Sequence, residues 1–160
     1  MKNLILPVVL FVAANSAFAQ AAKFHSAEAS VSTSGALTVS WDERGVGNVN
    51  VNYELTGNGT AVYACMNKGG NHPQAVNKTG SDPIFAQKTD VKPKNGRVVD
   101  SLTTEPPSPG NFSCPSGQDL VLACVRYTDL LLTDKTNNTS IIPTGTTSRT
   151  FLSTKGVNCF

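Results

Sequence analysis

Charge is the first scarcity. Only 15% of the residues are Asp, Glu, Lys or Arg, and the 13 Lys+Arg stand against 11 Asp+Glu. A nucleic-acid binder and an acidic tail protein both depend on a large excess of one sign, so both classes are excluded by this balance. Metal-binding side chains are equally sparse. There are two histidines, His25 and His72, and two methionines, of which Met1 lies in the leader. The cysteines never come as close as Cys-x-x-Cys, so no metal site and no cofactor is expected. No Gly-x-Ser-x-Gly elbow occurs, and no catalytic residue is assigned. Aromatics make up 7%, with a single Trp, so the flat row of exposed rings found on many sugar-binding sandwiches is not in view. After residue 20 the most apolar stretch is Leu120 to Val125, far short of the length that crosses a bilayer.

The N-terminus carries the one long hydrophobic run. Lys2 precedes an apolar segment from Leu4 to Ala14, and Ala17-Phe18-Ala19 places small residues at −3 and −1 of a cleavage site. Residues 1–19 are therefore expected to be a signal peptide, with 20–160 as one exported domain in the extracellular space or periplasm. The apolar run is too short for a membrane anchor.

All four cysteines, Cys65, Cys114, Cys124 and Cys159, fall in the mature part. An even number in an exported chain reads as two disulfides. Three pairings are possible; Cys65–Cys114 with Cys124–Cys159 is favoured. The first joins a strand end to the turn Ser113-Cys114-Pro115-Ser116-Gly117, and the second pins the C-terminal tail onto a central strand.

A period of two dominates the mature chain. Leu37, Val39 and Trp41 alternate with polar residues, as do Val49, Val51, Tyr53 and Leu55. Thr56-Gly57-Asn58-Gly59 offers turn chemistry, so Thr60 to Met66 is expected to return as the second arm of a hairpin. Phe85 to Val91 and Arg97 to Thr103 flank Asn95-Gly96, the strongest local hairpin signal. Glu105 to Gly110 is too rich in proline to be anything but loop. Asp119 to Asp134 reads as a core strand, or as two strands bent near Asp129; Ser140 to Pro143 and Arg149 to Ser153 add short edge strands. No window shows a capped 3.6-residue period. The fold expected is all-β, an antiparallel β-sandwich with an immunoglobulin-like arrangement first and a jelly roll second. Tyr63-Ala64-Cys65 matches the spacing of a tyrosine corner, yet no mature cysteine precedes Trp41 to supply the usual inter-sheet bridge.

Few residues suggest a site. Asp42 and Glu43 are adjacent, so on a strand they point to opposite faces and cannot flank one bond. Trp41 is in phase with Leu37 and Val39 and is expected in the core; Tyr53 and Tyr63 would lie on paired strands and meet across them. Lys88, Lys92, Lys94 and Arg97 form the one positive cluster, read as lysines that keep a hairpin edge wet. The loop from Asn67 to Lys78 is the candidate binding surface. Its Asn67, Gly69, Gly70, Asn71, His72 and Lys78 combine close backbone approach with donors and acceptors, next to a cysteine that would hold its base.

Several segments, among them Val51-Asn52-Tyr53-Glu54-Leu55, Tyr63-Ala64-Cys65-Met66-Asn67, Gly69-Gly70-Asn71-His72-Pro73-Gln74-Ala75, Pro93-Lys94-Asn95-Gly96-Arg97 and Asn111-Phe112-Ser113-Cys114-Pro115-Ser116-Gly117-Gln118, resemble a group of small exported proteins, mostly bacterial, with no assigned activity. The resemblance implies an exported single domain, supports the Cys65–Cys114 pairing and brings no activity with it. The expected function is non-catalytic: binding an extracellular or envelope protein or glycan. A carbohydrate-binding module, and a small secreted hydrolase or hydrolase inhibitor, stand as alternatives.

Overall fold

Alternation becomes strand wherever an apolar face can be covered. In the computed structural model, which describes residues 21–68, 73–78 (backbone), 81–153 and 156–160, the chain forms ten strands: β1 (Lys23–Val31), β2 (Leu37–Arg44), β3 (Val51–Asn67), β4 (Pro73–Lys78), β5 (Asp82–Val91), β6 (Arg97–Thr104), β7 (Gln118–Asp134), β8 (Thr139–Ile141), β9 (Thr144–Gly145) and β10 (Ser148–Thr150). One sheet has the order β6-β2-β1-β9. The other runs β10-β7-β3-β4, with β5 also on β3 and β8 on β7. Every pairing is antiparallel except β1 with β9. The two sheets pack face to face as a sandwich, with no helix among the described residues. The signal peptide expected over residues 1–19 lies outside them.

The core lies between the sheets. Leu37, Val39 and Trp41 from β2 meet Val51, Tyr53 and Leu55 from β3 and Tyr127 and Leu132 from β7, all at most 2% exposed. Trp41 is in the core, as its phase predicted; its ring centroid lies 4.6 Å from that of Tyr53. The strand β1 has no counterpart in the sequence reading. Its inward residues are Phe24, Ala27, Ala29 and Val31, and alanine carries little strand propensity. Pairing along β2 and burial under the opposite sheet make it a strand, because β-propensity is largely a measure of such context.

Two expected hairpins are corrected. Thr56 to Gly59 makes no hairpin: β3 passes straight through it as one strand of 17 residues. The glycines are there because neighbours come close. A Cβ on Gly57 would stand 2.9 Å from the Thr128 carbonyl oxygen, and one on Gly59 would stand 2.8 Å from Pro107 Cγ. A bulge in the facing strand explains the first approach: between the pairs Thr56–Leu131 and Asn58–Thr128, β7 carries an extra residue, and Asp129 has φ 54°. The bend expected near Asp129 is this bulge. Asn95-Gly96 does form its turn, with φ 52° and 72° and paired bonds from Lys94 N–H to Arg97 O (2.9 Å) and from Arg97 N–H to Lys94 O (3.1 Å). No ladder follows it, because β5 pairs with β3 and β6 with β2. The turn joins the two sheets.

β3 and β7 are each twice as long as the strands of the facing sheet, so their far halves extend beyond it. There the burial pattern stops alternating: Ala61 through Met66 are all buried. By strand parity, Ala61, Tyr63 and Cys65 share one face and Val62, Ala64 and Met66 the other. The first face is covered by the 105–117 loop, where Tyr63 Oη donates to Pro107 O (2.8 Å) and Cys65 bonds Cys114. That hydrogen bond runs to a loop far along the chain, so Tyr63 is not a tyrosine corner. The second face forms a separate apolar cluster of Val62, Ala64, Met66, Ala123 and Cys124 under Leu152, Val157 and Cys159, closed by Cys124–Cys159. Both disulfides pair as the sequence suggested. They fit an oxidising environment, and they hold irregular cover on opposite faces of one two-strand extension. Tyr53 and Tyr63, expected on paired strands, both belong to β3.

Candidate functional site

The tip of that extension carries the loop singled out above. β4 returns antiparallel along β3, pairing Met66 with Pro73 and Val62 with Lys78, so the segment after Asn67 is a hairpin connection. Asn67 closes β3 and is exposed. Gly69, Gly70, Asn71 and His72 lie outside the described residues. Lys78 sits at the far end of β4, away from the tip. Of the proposed set, Asn67 is therefore the residue that the structure places at a pocket.

This pocket has a volume of about 390 Å³. Met66, Val121, Leu122, Phe151 and Leu152 form its apolar walls, and Asn67, Lys68 and Asp119 its polar rim. Asp119 faces Met66 across the ladder, as Gln118 faces Asn67. Phe151 and Leu152 arrive from the end of the chain, where both of their N–H groups donate to Ala123 O (2.8 and 3.1 Å). Sequence reasoning missed these two. Read as a short edge strand, they gave no sign of which strand they would join; β10 pairs with β7. A few apolar walls with convergent polar groups at a loop base is the ordinary make-up of a recognition pocket.

A second cluster contains the most perturbed carboxyl among the described residues. Asp42 and Glu43 point to opposite faces, as expected. Asp42 turns outward and accepts from Arg97 Nε (2.8 Å) and Nη2 (3.0 Å) and from Arg44 Nη2 (2.9 Å); these guanidinium bonds hold its pKa down at about 2. Glu43 turns inward, is wholly buried, and accepts from Tyr53 Oη at 2.7 Å. Burial lifts its pKa to about 7, against the pull of the Tyr53 bond, and Asp134 raises it further by charge and by hydrogen bonding. Burial, then Glu43, hold the Tyr53 phenol well above its usual range. Asp134, also wholly buried, accepts from Thr136 N (2.7 Å), Asn137 N (2.9 Å) and Asn137 Nδ2 (2.6 Å). Glu43 Oε1 receives no hydrogen bond. The pairing escaped the sequence reading because the two carboxyls come from different sheets. With both at 0% exposure, no substrate touches either one. They join the sheets.

The remaining candidates separate. Lys88 leaves the positive cluster for Asp100 (2.5 Å), while Lys92, Lys94 and Arg97 stay together along a cleft at the β5–β6 turn. His25 is exposed beside Lys23 and Arg44, and His72 is outside the described residues. Among the described residues no group of three His, Cys, Asp or Glu is able to hold a metal ion, and no helix is long and apolar enough to cross a membrane.

Fold and site together define a two-sheet, disulfide-stapled β-protein with a pocket at one end. No family model, no curated protein and no solved structure matches the chain.

Proposed function

We propose that this chain is an exported, single-domain binding module of immunoglobulin-like build, and that its partner is an extracellular or envelope protein gripped at the stapled tip. The observation that carries the reading is the tip pocket itself: apolar walls and a rim of both charge signs, on a strand pair held by a disulfide on each face. Such a pocket suits an apolar side chain presented on a polar segment. A base already held by covalent links lowers the ordering cost of binding. Strand order supports the immunoglobulin-like arrangement over the jelly roll. β1, β2 and β6 lie in one sheet in the positions of A, B and E, while β3 and β7 take C and F in the other, followed by the short strands of a broken G. The reading of export is supported by the signal-like N-terminal run and by the two disulfides.

A photo-crosslinking residue at Lys68, compared with one at Val49 near the opposite end of β3, tests this in the native secreted or envelope fraction. One discrete adduct from position 68, lost when Asn67 and Asp119 are changed to Ala and absent from position 49, is the expected result. Equal labelling from both positions, or none from either, overturns the tip as the binding end.

A further inference from the structure

The outer face of the β6-β2-β1 sheet carries an arrangement of charge that strand pairing ordinarily avoids. Lys23 on β1 lies directly opposite Arg44 on β2. Arg44 lies opposite Arg97 on β6, and Arg97 bridges in turn to Lys94 in the turn before it. Four cations thus occupy one unbroken cross-strand row, at steps of about 4.8 Å, and all four are exposed. Like charges placed directly opposite are destabilising. Exposed Lys92 adds a fifth cation beside the row. The counter-charge is the single carboxylate of Asp42, which takes three of the N–H groups of Arg44 and Arg97 and leaves most of their donors unused.

The chain as a whole has a formal charge of only +2, so this one end of the sheet is strongly positive while the rest of the molecule is net negative. Keeping edge strands wet accounts for lysines at the edges but not for Arg44, which lies on the inner strand β2 with a cation directly opposite it on each side. Clefts of about 480 and 670 Å³ border it, the first lined by Lys92, Lys94 and Arg97 and the second by Lys23, His25 and Arg44.

We propose that this row is a binding site for an acidic polysaccharide, whose regularly spaced anionic groups lie along it from Lys23 to Lys94. The two guanidinia in the middle are fixed by Asp42 and present a pre-set geometry, while the flexible lysines at the ends adapt to the spacing. A linear row one residue wide fits a single chain bearing one charge per sugar. Nucleic acid fits it less well, since a duplex demands a broad basic surface and the molecule is net negative elsewhere. The site is separate from the tip pocket, and neither proposal depends on the other.

The intact, disulfide-bonded protein is titrated with polygalacturonate (carboxylate), heparin oligosaccharides (sulfate) and a single-stranded oligonucleotide of equal charge, over a range of salt. Binding to at least one polysaccharide, with the oligonucleotide clearly weaker, is expected. Lys23→Gln with Lys94→Gln, both exposed, should weaken binding about ten-fold and reduce the salt slope by about 2. Arg126→Gln with Lys135→Gln, both exposed and on or just past β7 of the other sheet, removes the same charge away from the row and should change the affinity less than about two-fold. Melting curves of both variants confirm that they are folded. Absence of polysaccharide binding in the wild type, equal losses in the two double variants, or equal or tighter binding of the oligonucleotide each overturns the proposal.

Discussion

Adjacent residues on β2 give this protein opposite responses to pH. Glu43 is protonated in both the folded and unfolded chain below its usual value of 4.5. Between there and about 7 the folded state keeps a proton that the unfolded chain has released, so raising pH favours unfolding, by up to about 1.4 kcal/mol per unit. Asp42 acts the other way. Its carboxyl is ionised in both states above 3.8 and, as pH falls toward about 2, the unfolded chain takes up the proton first, so stability is lost in acid. The melting temperature should therefore peak near pH 4 to 4.5 and decline toward pH 7 and 8. Glu43→Gln, a neutral isostere of the protonated acid, should flatten that decline and melt above wild type at pH 8; a slope unchanged by the substitution would remove Glu43 as its cause. Gly59 makes a second test at this scale. Its Cβ would press on Pro107 Cγ at 2.8 Å and Ile84 Cγ2 at 3.1 Å, so Gly59→Ala should cost about 1–3 kcal/mol in denaturant melts, where a turn glycine in open solvent would show far less. The opposed directions of Asp42 and Glu43 were legible from their adjacency alone. The partner of Glu43 was not, because Asp134 reaches it only after two sheets have packed.

Among the elements, β3 and β7 are the axis of the larger sheet. They pair with each other along their length; β4 and β5 add to β3, β8 and β10 to β7, and both disulfides and the tip pocket attach to them. Hydrogen exchange should be slowest in Tyr53–Leu55, Ala61–Cys65 and their β7 partners, and fastest in β8, β9 and β10, which are two or three residues long. The disulfides close segments of 49 and 35 residues, each worth about 4 kcal/mol in the chain-entropy account. Replacing Cys124 and Cys159 together by Ala should lower the melting temperature by several degrees or more and expose the Val62–Ala64–Met66 face to a hydrophobic dye; a variant that melts like wild type would show that the tail holds without its bond. Strand alternation, the Asn95-Gly96 turn, the proline loop and the cysteine pairing could all be read in advance. What misled was glycine: the pair in β3 signals a turn by composition and serves close packing in fact, and these two uses look alike in one dimension.

For the whole molecule, the sequence by itself indicated the all-β class, because after residue 20 a two-residue period recurs and no capped 3.6-residue period does, and no helix forms among the described residues. It also indicated two disulfides and favoured one of the three possible pairings, because one bridge joins a strand end to a turn and the other ties down the tail; the structure shows that pairing. Four things were decided only by tertiary structure. The hairpin at Asn95-Gly96 became a link between sheets because β5 and β6 found better partners in β3 and β2 than in each other. Low-propensity β1 became a strand because it completes a sheet that needed covering. The tip pocket took walls from the chain end, and the basic row drew Lys23, Arg44, Arg97 and Lys94 from separate segments. The reason is common to all four. Local pattern fixes what a segment can be, through side-chain period and backbone sterics, whereas register and neighbour are fixed by the burial that pairing makes possible, and that depends on residues far along the chain.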